Sequence, residues 1–174
     1  GRGRQTDALV RRLMDLPQPL VLDADGINAL AGHMDEWERR RGRVTVLTPH
    51  EGEFLRVGGN LSQGRTAAAE DFARRSGAVV VLKGPGTVVA GPDGRCRVNT
   101  TGNCGMAKGG SGDVLSGVVL ALLGLGMDAF DACCCAVWLH GRAGDLAAQE
   151  KGQWGMTPTD LLERLPQALR EVTE

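Results

Sequence analysis

Residues 99–117 constrain what this chain can fold into and bind more than any other segment. The segment reads NTTGNCGMAKGGSGDVLSG, with six glycines, and the apolar run Val118 to Leu125 follows it. A glycine-rich turn that runs directly into a helix offers free backbone N–H groups and the positive end of the helix dipole, so it is suited to bind an anion. Asp113 stands in the predicted first turn of this helix. Its carboxylate is a candidate to take a proton from a hydroxyl that attacks a bound phosphate.

The same segment also allows a purely structural interpretation. Glycine-rich loops occur as tight turns, and an aspartate in the first turn of a helix is often a cap or a partner of the dipole. Four further polar side chains surround the turn: Asn99, Thr101, Asn103 and Lys108. Their presence favours a site for a polar ligand over a bare corner.

Length and composition indicate one globular domain, or part of one. The chain has 174 residues, of which 42% are hydrophobic and 24% charged, as is usual for globular proteins. The formal charge of −1 gives no electrostatic reason to expect nucleic acid or a membrane as a partner. Aromatic residues make up only 3%, so there are few platforms on which bases could stack. No apolar run has the length of a membrane span, and no signal peptide is visible, so we expect a cytoplasmic protein.

The cysteines do not have the spacing of a metal site. Three of them are consecutive on a predicted apolar helix and cannot all pair with one another. We therefore interpret them as buried free thiols in a reducing cytosol. The five cysteines are Cys96, Cys104, Cys133, Cys134 and Cys135.

Strands and helices alternate along the first half of the chain. Short apolar runs predict strands at residues 20–22, 44–47 and 78–82, and the GPDG turn predicts a hairpin of residues 87–90 and 95–99. Helical spacing predicts helices at residues 5–15, 27–32, 51–57, 65–76, 112–124, 127–150 and 158–172. Residues 39–43 are predicted to form a basic, solvated turn. Continuous apolar strands between helices are typical of an α/β fold with a mostly parallel sheet that is flanked by helices.

Polar or glycine-rich segments directly follow the predicted strands. They are DADG at residues 23–26, TPH at 48–50, KGPG at 83–86 and NTTGN at 99–103. Each has a simpler explanation by itself: Asp23 and Asp25 as a turn and a cap, His50 as a helix cap, and Lys83 as a solvated charge. Ligands bind at the carboxyl ends of the strands in such sheets. The shared position of these segments at one edge therefore favours a binding site, together with GGSGD.

At these motifs the chain resembles the ATP/ADP-dependent NAD(P)H-hydrate dehydratases, a family with a ribokinase-like fold. The similar segments are VLDADGINAL (21–30), LTPHEGEF (47–54), VVLKGPGTVVAGPDG (80–94), NTTGNCGMAKGGSGDVLSG (99–117) and AVWLHGRAGDLAAQEKGQWGMTPTDLLERLP (136–166). They occur in the family's order and cover most of the chain. TPHxGE combined with GNxGMAxGGxGDVLxG is specific to this family within its superfamily, whereas GxGD alone is not.

The resemblance implies an enzyme that repairs hydrated nicotinamide cofactors. Such an enzyme restores NADH or NADPH from the S form of the hydrate, using ADP or ATP with Mg²⁺, and the family forms homo-oligomers (tetramers). The implied route is phosphorylation of the hydrate hydroxyl and then loss of phosphate, which is a far better leaving group than hydroxide, so an anion site suits it. Two alternatives stay open. One is a small-molecule kinase of the same superfamily, of the hydroxymethylpyrimidine or hydroxyethylthiazole type, and the other is a nucleotide-binding module without turnover.

The resemblance also implies a role for individual residues. Asp113 matches the residue that contacts the hydrate and is our candidate base, and Gly3 and His50 match further contacts to the hydrate. No direct ligand of Mg²⁺ is assigned. The residues implied to hold the nucleotide are Lys83, Gly84, Pro85, Gly86, Thr87, Asn99, Asn103, Gly109, Gly110, Ser111 and Gly112.

The chain departs from the family pattern at a few positions. Cys104 stands where the family usually has Pro, and Lys108 and Ser111 stand where Thr is usual, although Ser111 keeps a hydroxyl. Lys108 adds a cation beside the anion site, which either helps to hold phosphate or is a surface change. The resemblance begins at the family's GPGLG-type turn, so residues 1–174 would be a partial, N-terminally truncated domain. Such a domain leaves a sheet edge and apolar helix faces uncovered, and we therefore expect it to oligomerise.

Overall fold

The computed structural model describes residues 3–173, which form five strands and eight α-helices. The strands are β1 (Leu20–Leu22), β2 (Thr45–Leu47), β3 (Val79–Leu82), β4 (Val88–Ala90) and β5 (Cys96–Val98). The helices are α1 (Arg4–Leu13), α2 (Asp25–Asn28), α3 (Met34–Glu38), α4 (Glu51–Arg56), α5 (Arg65–Ser76), α6 (Ser111–Gly124), α7 (Ala129–Gly155) and α8 (Pro158–Thr173). A 3-10 turn at Cys104–Met106 precedes α6.

The strands form one mixed sheet in the order β1-β2-β3-β4-β5. β1, β2 and β3 are parallel, with Val21 opposite Val46 and Val46 opposite Val79. β3, β4 and β5 are antiparallel, as the predicted hairpin requires. The α/β class with flanking helices is thus confirmed, and the sheet is parallel in its first three strands.

Apolar side chains leave the sheet on both faces and form two separate cores. On one face, Leu82 and its neighbours pack against Phe72 of α5 and the residues of α1 to α4. On the other face, Val81 packs with Leu115 of α6 and Val137 of α7. This alternation follows from the period of two in a strand. It leaves the carboxyl ends of β1, β2 and β3 beside the start of α6.

Most predicted elements lie within a few residues of the observed ones, but two predictions about the first half were incomplete. Sequence analysis missed α3, a short helix that places Trp37 in the core, edge-on to Phe72 with ring centroids 6.2 Å apart. The predicted turn at residues 39–43 is present and mostly exposed, but Arg40 within it is buried, with only 1% of its surface exposed. Its guanidinium donates to the carbonyls of Gln18 and Val44 at 2.9 and 2.8 Å. Charge alone could not reveal these carbonyl partners.

The thiols are free, as predicted, but only one of them is fully buried. Cys133 lies in the core, where burial raises its pKa well above the usual range. Cys104 and Cys135 are exposed, which the sequence analysis did not predict. Among residues 3–173, no helix combines the length and hydropathy that crossing a bilayer requires.

Candidate active site

The ends of the three parallel strands bring Asp23, His50 and Lys83 to one edge of the sheet. Lys83 Nζ lies 2.7 Å from Asp23 Oδ1, although 60 residues separate them. Beyond the ends of β2 and β3, His50 and Lys83 pair as a parallel bridge, and Lys83 N–H donates to the Pro49 carbonyl at 2.8 Å. The residues that the sequence places just after separate strands therefore meet in space.

Asp23 connects this edge to α6. Its Oδ2 accepts a hydrogen bond from Ser116 Oγ at 3.2 Å, while Oδ1 holds Lys83. Burial acts to raise the pKa of Asp23, but the hydrogen bond and charge of Lys83, with hydrogen bonds from Thr48 and Ala24, outweigh it. The pKa therefore lies below its usual value, and the carboxylate is ionised at neutral pH.

His50 begins α4 through a reciprocal capping arrangement. Its Nδ1 accepts hydrogen bonds from the N–H groups of Gly52 and Glu53 at 3.0 and 3.3 Å. Glu53 Oε2 in turn accepts the His50 N–H at 2.9 Å, and Glu53 is only 6% exposed. This capping box leaves His50 Nε2 on a half-exposed ring, 3.4 Å from Glu53 Oε1. The cap and the predicted contact to substrate are compatible, because they use different nitrogens.

The start of α6 has the features of an anion site. Gly110 precedes it with φ of 98°, in the left-handed region that favours glycine. Among residues 3–173, no acceptor receives a hydrogen bond from the N–H groups of Gly109, Gly110, Gly112 or Asp113. Unpaired amides at the N-terminus of a 14-residue helix favour a negatively charged ligand.

Gly112 joins this helix start to the strand-end cluster. A Cβ at position 112 would lie 3.3 Å from both Lys83 Nζ and Asp23 Oδ2. The next residue, Asp113, is exposed, and within the described part of the chain no cation or hydrogen-bond donor pairs with its carboxylate. A carboxylate in the first turn of α6 therefore stands free beside four free amides.

Ser111 is held from behind by α7. His140 Nε2 lies 2.9 Å from the Ser111 carbonyl oxygen and donates to it. Burial lowers the pKa of His140 to about 4, against the opposing effect of this hydrogen bond, so the imidazole is neutral at pH 7. Ser111 is 5% exposed, and its Oγ has no partner among the described residues. A buried hydroxyl without a partner at an anion site is free for a ligand.

The KGPGT turn is anchored by Arg65 at the start of α5. The Arg65 guanidinium donates to the carbonyls of Leu82, at 2.9 Å, and Pro85. A Cβ at Gly84 would lie 2.7 Å from Arg65 Nη2, so a side chain there would displace the guanidinium. Thr87 Oγ1 closes the turn by donating to the Gly84 carbonyl at 3.0 Å. Gly86 has φ of 61°, again in the left-handed region.

Asn99 and Asn103 shape the loop that precedes α6. Asn99 Nδ2 donates to the Thr101 carbonyl at 2.9 Å. Asn103 Nδ2 donates to Asp145 Oδ1 at 3.0 Å, while its Oδ1 accepts the Gly105 N–H at 3.0 Å. Both amide groups are thus used inside the protein. Their predicted contacts to the nucleotide stay predictions. In the structure Asn103 fastens the loop to α7, and Asn99 bonds to Thr101 within the loop.

Lys108 reaches the end of α7. Its Nζ donates to the carbonyls of Gln153 and Trp154 at 3.3 and 3.0 Å and to that of Met156. Cys104 Sγ lies 2.8 Å from Gln153 Oε1 in the same segment. These contacts favour the structural one of the two roles that the sequence left open for Lys108. Lys108 and Cys104, which both depart from the family pattern, fasten the loop to the end of α7.

Gly3 and the clefts of the surface lie outside this cluster. Gly3 precedes α1 as its N-cap, and no contact within residues 3–173 joins it to Asp113 or Lys83. The first two residues of the GRGR turn lie outside the described residues. One cleft of about 350 Å³ lies between β5 and α7, and another of about 360 Å³ lies near the amino ends of β2 and β3. Neither contains the start of α6, although Asn99 lines the first.

Sequence analysis missed four residues that build the site. The signal for Glu53 was present, because an N-cap followed three residues later by Glu is a capping box. Arg65, His140 and Asp145 carried no local signal, since each contacts a segment 17 or more residues away. Within residues 3–173, no three His, Cys, Asp or Glu side chains are grouped to hold a metal ion.

This fold defines a class, the α/β proteins with a ribokinase-like fold. A ribokinase-like superfamily protein from Enterococcus faecalis superposes with a TM-score of 0.82 at 24% identity, over 98% of this chain and 60% of that one, a likeness that shows the fold. The family model for NAD(P)H-hydrate dehydratase matches residues 1–167. The chain belongs to this family.

Two relatives place the chain more narrowly within the family. It is 44% identical to the bifunctional NAD(P)H-hydrate repair enzyme Nnr of Thermofilum pendens, over 100% of this chain and 34% of the relative. The ADP/ATP-dependent NAD(P)H-hydrate dehydratase of Bacillus subtilis, co-crystallised with ATP and Mg²⁺, superposes with a TM-score of 0.80 at 35% identity, over 93% of this chain and 58% of that one. The chain thus spans about a third of the curated relative and three fifths of the solved one.

Proposed function

We propose that this chain provides the catalytic part of a nucleotide-dependent NAD(P)H-hydrate dehydratase that acts on the S form of the hydrate. One observation carries the proposal: a free carboxylate, Asp113, stands among unpaired amides at the start of α6, with Lys83 Nζ beside Gly112. The relatives act on NAD(P)H hydrates according to their names. Three of the motifs that carry the resemblance place Asp23, His50 and Lys83 at this edge, and a fourth forms the start of α6 beside them.

The proposed reaction has two steps. Asp113 accepts the proton of the hydrate hydroxyl while that oxygen attacks the terminal phosphorus of ADP or ATP, and AMP or ADP leaves. The carbon–oxygen bond of the phosphorylated hydrate then breaks, with loss of phosphate and a ring proton, and the ring double bond of NAD(P)H is restored. The amides of Gly109, Gly110 and Gly112 would hold the charged phosphoryl group in both steps.

The KGPGT turn would hold the nucleotide mainly through its backbone. Lys83 supplies a positive charge, and Gly84, Gly86 and Thr87 form an exposed turn that Arg65 fixes from behind. Mg²⁺ would be held chiefly by nucleotide phosphates and water, since Asp23 is already paired with Lys83. When bound, it would neutralise phosphate charge.

The proposal also covers the oligomeric state of the protein and its cellular compartment. We propose a homo-oligomer, because α6 exposes large apolar side chains: Leu120 is 53% exposed and Leu125, just beyond its end, 79%. We propose the cytoplasm, because five free thiols suit a reducing compartment.

The proposal is tested by adding the protein to hydrated NADH with ADP or ATP and Mg²⁺. We expect the absorbance band of the reduced nicotinamide to return, with one phosphate released for each NADH. The hydrate without nucleotide is the control. Nucleotide consumption without recovery of NADH, or binding of nucleotide without any turnover of the hydrate, would contradict the proposed reaction.

A further inference from the structure

We propose that Asp23 is a positioning residue, which fixes the Lys83 ammonium beside Gly112 so that one positive charge has a set place next to the free amides of α6. No motif that carries the resemblance assigns Asp23 a role in nucleotide binding. The inference rests on the proposed function, because it concerns the phosphate site of that reaction.

The contacts of Asp23 bring three elements together. Oδ1 holds Lys83 Nζ at 2.7 Å, and Oδ2 accepts from Ser116 Oγ at 3.2 Å. Asp23 follows β1, Lys83 follows β3, and Ser116 lies in α6. Since an ammonium has three N–H donors, the bond to Asp23 leaves others for a phosphate. The carboxylate therefore directs the ammonium without using up its donors.

A second carboxylate shows why Lys83 needs such direction. Glu53 Oε2 is 4.0 Å from Lys83 Nζ, and the Glu53 side chain is 7% exposed. Without the charge of Asp23, the ammonium would be drawn toward this buried carboxylate, since opposite charges attract strongly where water is scarce. Lys83 would then move toward α4 and away from Gly112.

The backbone beside Asp23 is strained, which is an independent sign of a constrained position. Ala24 has φ of 48° and ψ of −118°, and it is the only non-glycine residue with positive φ among those described. Backbone in such sparsely populated regions persists where the surrounding structure requires it, commonly at functional sites. Here the turn directs the Asp23 side chain toward Lys83 and α6.

Gly112 completes the arrangement. A Cβ at this position would stand 3.3 Å from both members of the Asp23–Lys83 pair. Such a contact is tighter than ordinary van der Waals packing, so a side chain here would push the pair away. The glycine therefore lets the ion pair lie directly against the first turn of α6.

A double-mutant cycle tests whether Asp23 acts through Lys83. The affinity for ADP with Mg²⁺ is measured by calorimetry for the wild type, Asp23→Asn, Lys83→Met and the double variant. We expect Asp23→Asn to weaken ADP binding about tenfold in the wild type, as for charged residues in contact, and less than about twofold when Lys83 is already Met. An equal loss in both backgrounds, or tighter binding by Asp23→Asn, overturns the proposal.

A measurement without nucleotide separates this inference from the proposed function. The rate at which an N-hydroxysuccinimide ester acylates Lys83 is followed by mass spectrometry. We expect a several-fold faster reaction in Asp23→Asn, because the amine exchanges its 2.7 Å bond to Asp23 for a longer contact with Glu53. Lys151 of α7 is the internal control and should be unchanged. Glu171→Gln, which breaks the ion pair of Arg142 on α7 and α8, should leave both lysines unchanged. An unchanged rate at Lys83 overturns the inference.

A second variant, Ser116→Ala, and the ADP binding of the wild type complete these tests. Should Asp23→Asn fail to fold, Ser116→Ala removes only the hydroxyl that steadies Asp23 Oδ2, and a smaller acceleration at Lys83 is expected. Unchanged acylation in that variant then counts against the inference. A wild-type chain that binds no ADP would remove the proposed function, while the acylation rates would still decide whether Asp23 fixes Lys83.

Discussion

Asp113 carries the chemistry that we propose, and its surroundings explain why. Most carboxylates near a helix start serve as caps or ion-pair partners, as Asp128 does for α7 by accepting from Phe130 and Asp131. Asp113 has no such partner among residues 3–173. A negative charge beside the proposed anion site would repel the ligand, and its role as a proton acceptor, as we propose, explains its presence there.

Replacing Asp113 by Asn should remove turnover while nucleotide binding persists. The amide cannot accept the hydroxyl proton, and the loss expected for a general base is roughly two to four decades in kcat. Nucleotide affinity should stay the same or rise, because one repulsive charge is lost. Steady-state rates of NADH recovery and calorimetry with ADP measure the two effects. A variant that retains full turnover would show that Asp113 is not the base.

The strained turn at Ala24 gives a prediction about stability. Its φ and ψ of 48° and −118°, with the Gly26 N–H bonded to the Asp23 carbonyl at 2.9 Å, are those of a type II′ turn, which favours glycine at this position. Ala24→Gly should therefore raise the free energy of unfolding by about 0.5–1 kcal/mol. Urea denaturation measures it. Ala121→Gly in α6 is the matched control and should lower stability by about as much. If Ala24→Gly lowered the free energy of unfolding as Ala121→Gly does, the turn at Ala24 would not be strained.

At the scale of elements, the pattern of strands predicted the site better than the details around it. The convergence of Asp23, His50 and Lys83 was predictable, because parallel strands end at one edge and each residue directly follows a strand. The anchoring of the loops was not. Arg40 binds the carbonyl of Gln18, 22 residues away in the sequence, and Lys108 binds carbonyls that are 45 or more residues away. Such partners depend on how the elements pack, which no local pattern records.

His140 makes the stability of the α6–α7 contact depend on pH. Its pKa is about 4 in the folded protein and about 6.5 when unfolded. Between these values the unfolded state binds a proton that the folded state does not, so stability falls as pH drops from about 6.5 to 4. We expect a loss of about 2 kcal/mol between pH 7 and pH 5. Urea denaturation at both values measures it.

The variant His140→Gln is the control for this pH dependence of stability. Its amide can still donate to the Ser111 carbonyl, but it does not titrate. The difference in unfolding free energy between pH 7 and pH 5 should therefore shrink by most of its wild-type size. An equal slope in the variant and the wild type would assign the pH dependence to other groups.

Lys108→Thr separates the two roles that the sequence left open for this lysine. The ammonium donates to three carbonyls near the end of α7, so its loss should lower the unfolding free energy by about 1 kcal/mol. ADP affinity should change less than about threefold, because the charge is used inside the protein. Urea denaturation and calorimetry measure both. A large loss of ADP affinity at unchanged stability would instead assign Lys108 to the phosphate.

At the scale of the whole molecule, the unpaired surfaces matter most. Among residues 3–173, β1 pairs with β2 alone, so its other side is an open sheet edge. α6 is apolar nearly all round, and one of its faces is exposed at Leu120. α8 adds an exposed row of Leu162, Leu169 and Val172. Grouped exposed apolar side chains of this kind mark interaction surfaces, whereas single ones are ordinary.

We therefore expect this chain to self-associate through α6. Sedimentation velocity at several concentrations should show oligomers for the wild type. The double variant Leu120→Glu with Leu125→Glu should shift the chain to monomer, because two charges would be buried in the contact at a cost of several kcal/mol. Leu55→Glu is the matched control: Leu55 is 52% exposed on α4, close to the 53% of Leu120, but it lies on the opposite face of the sheet. Leu55→Glu should form the same oligomers as the wild type in sedimentation velocity. A wild-type chain that is monomeric at every concentration would show that the exposed face of α6 does not bind a second copy.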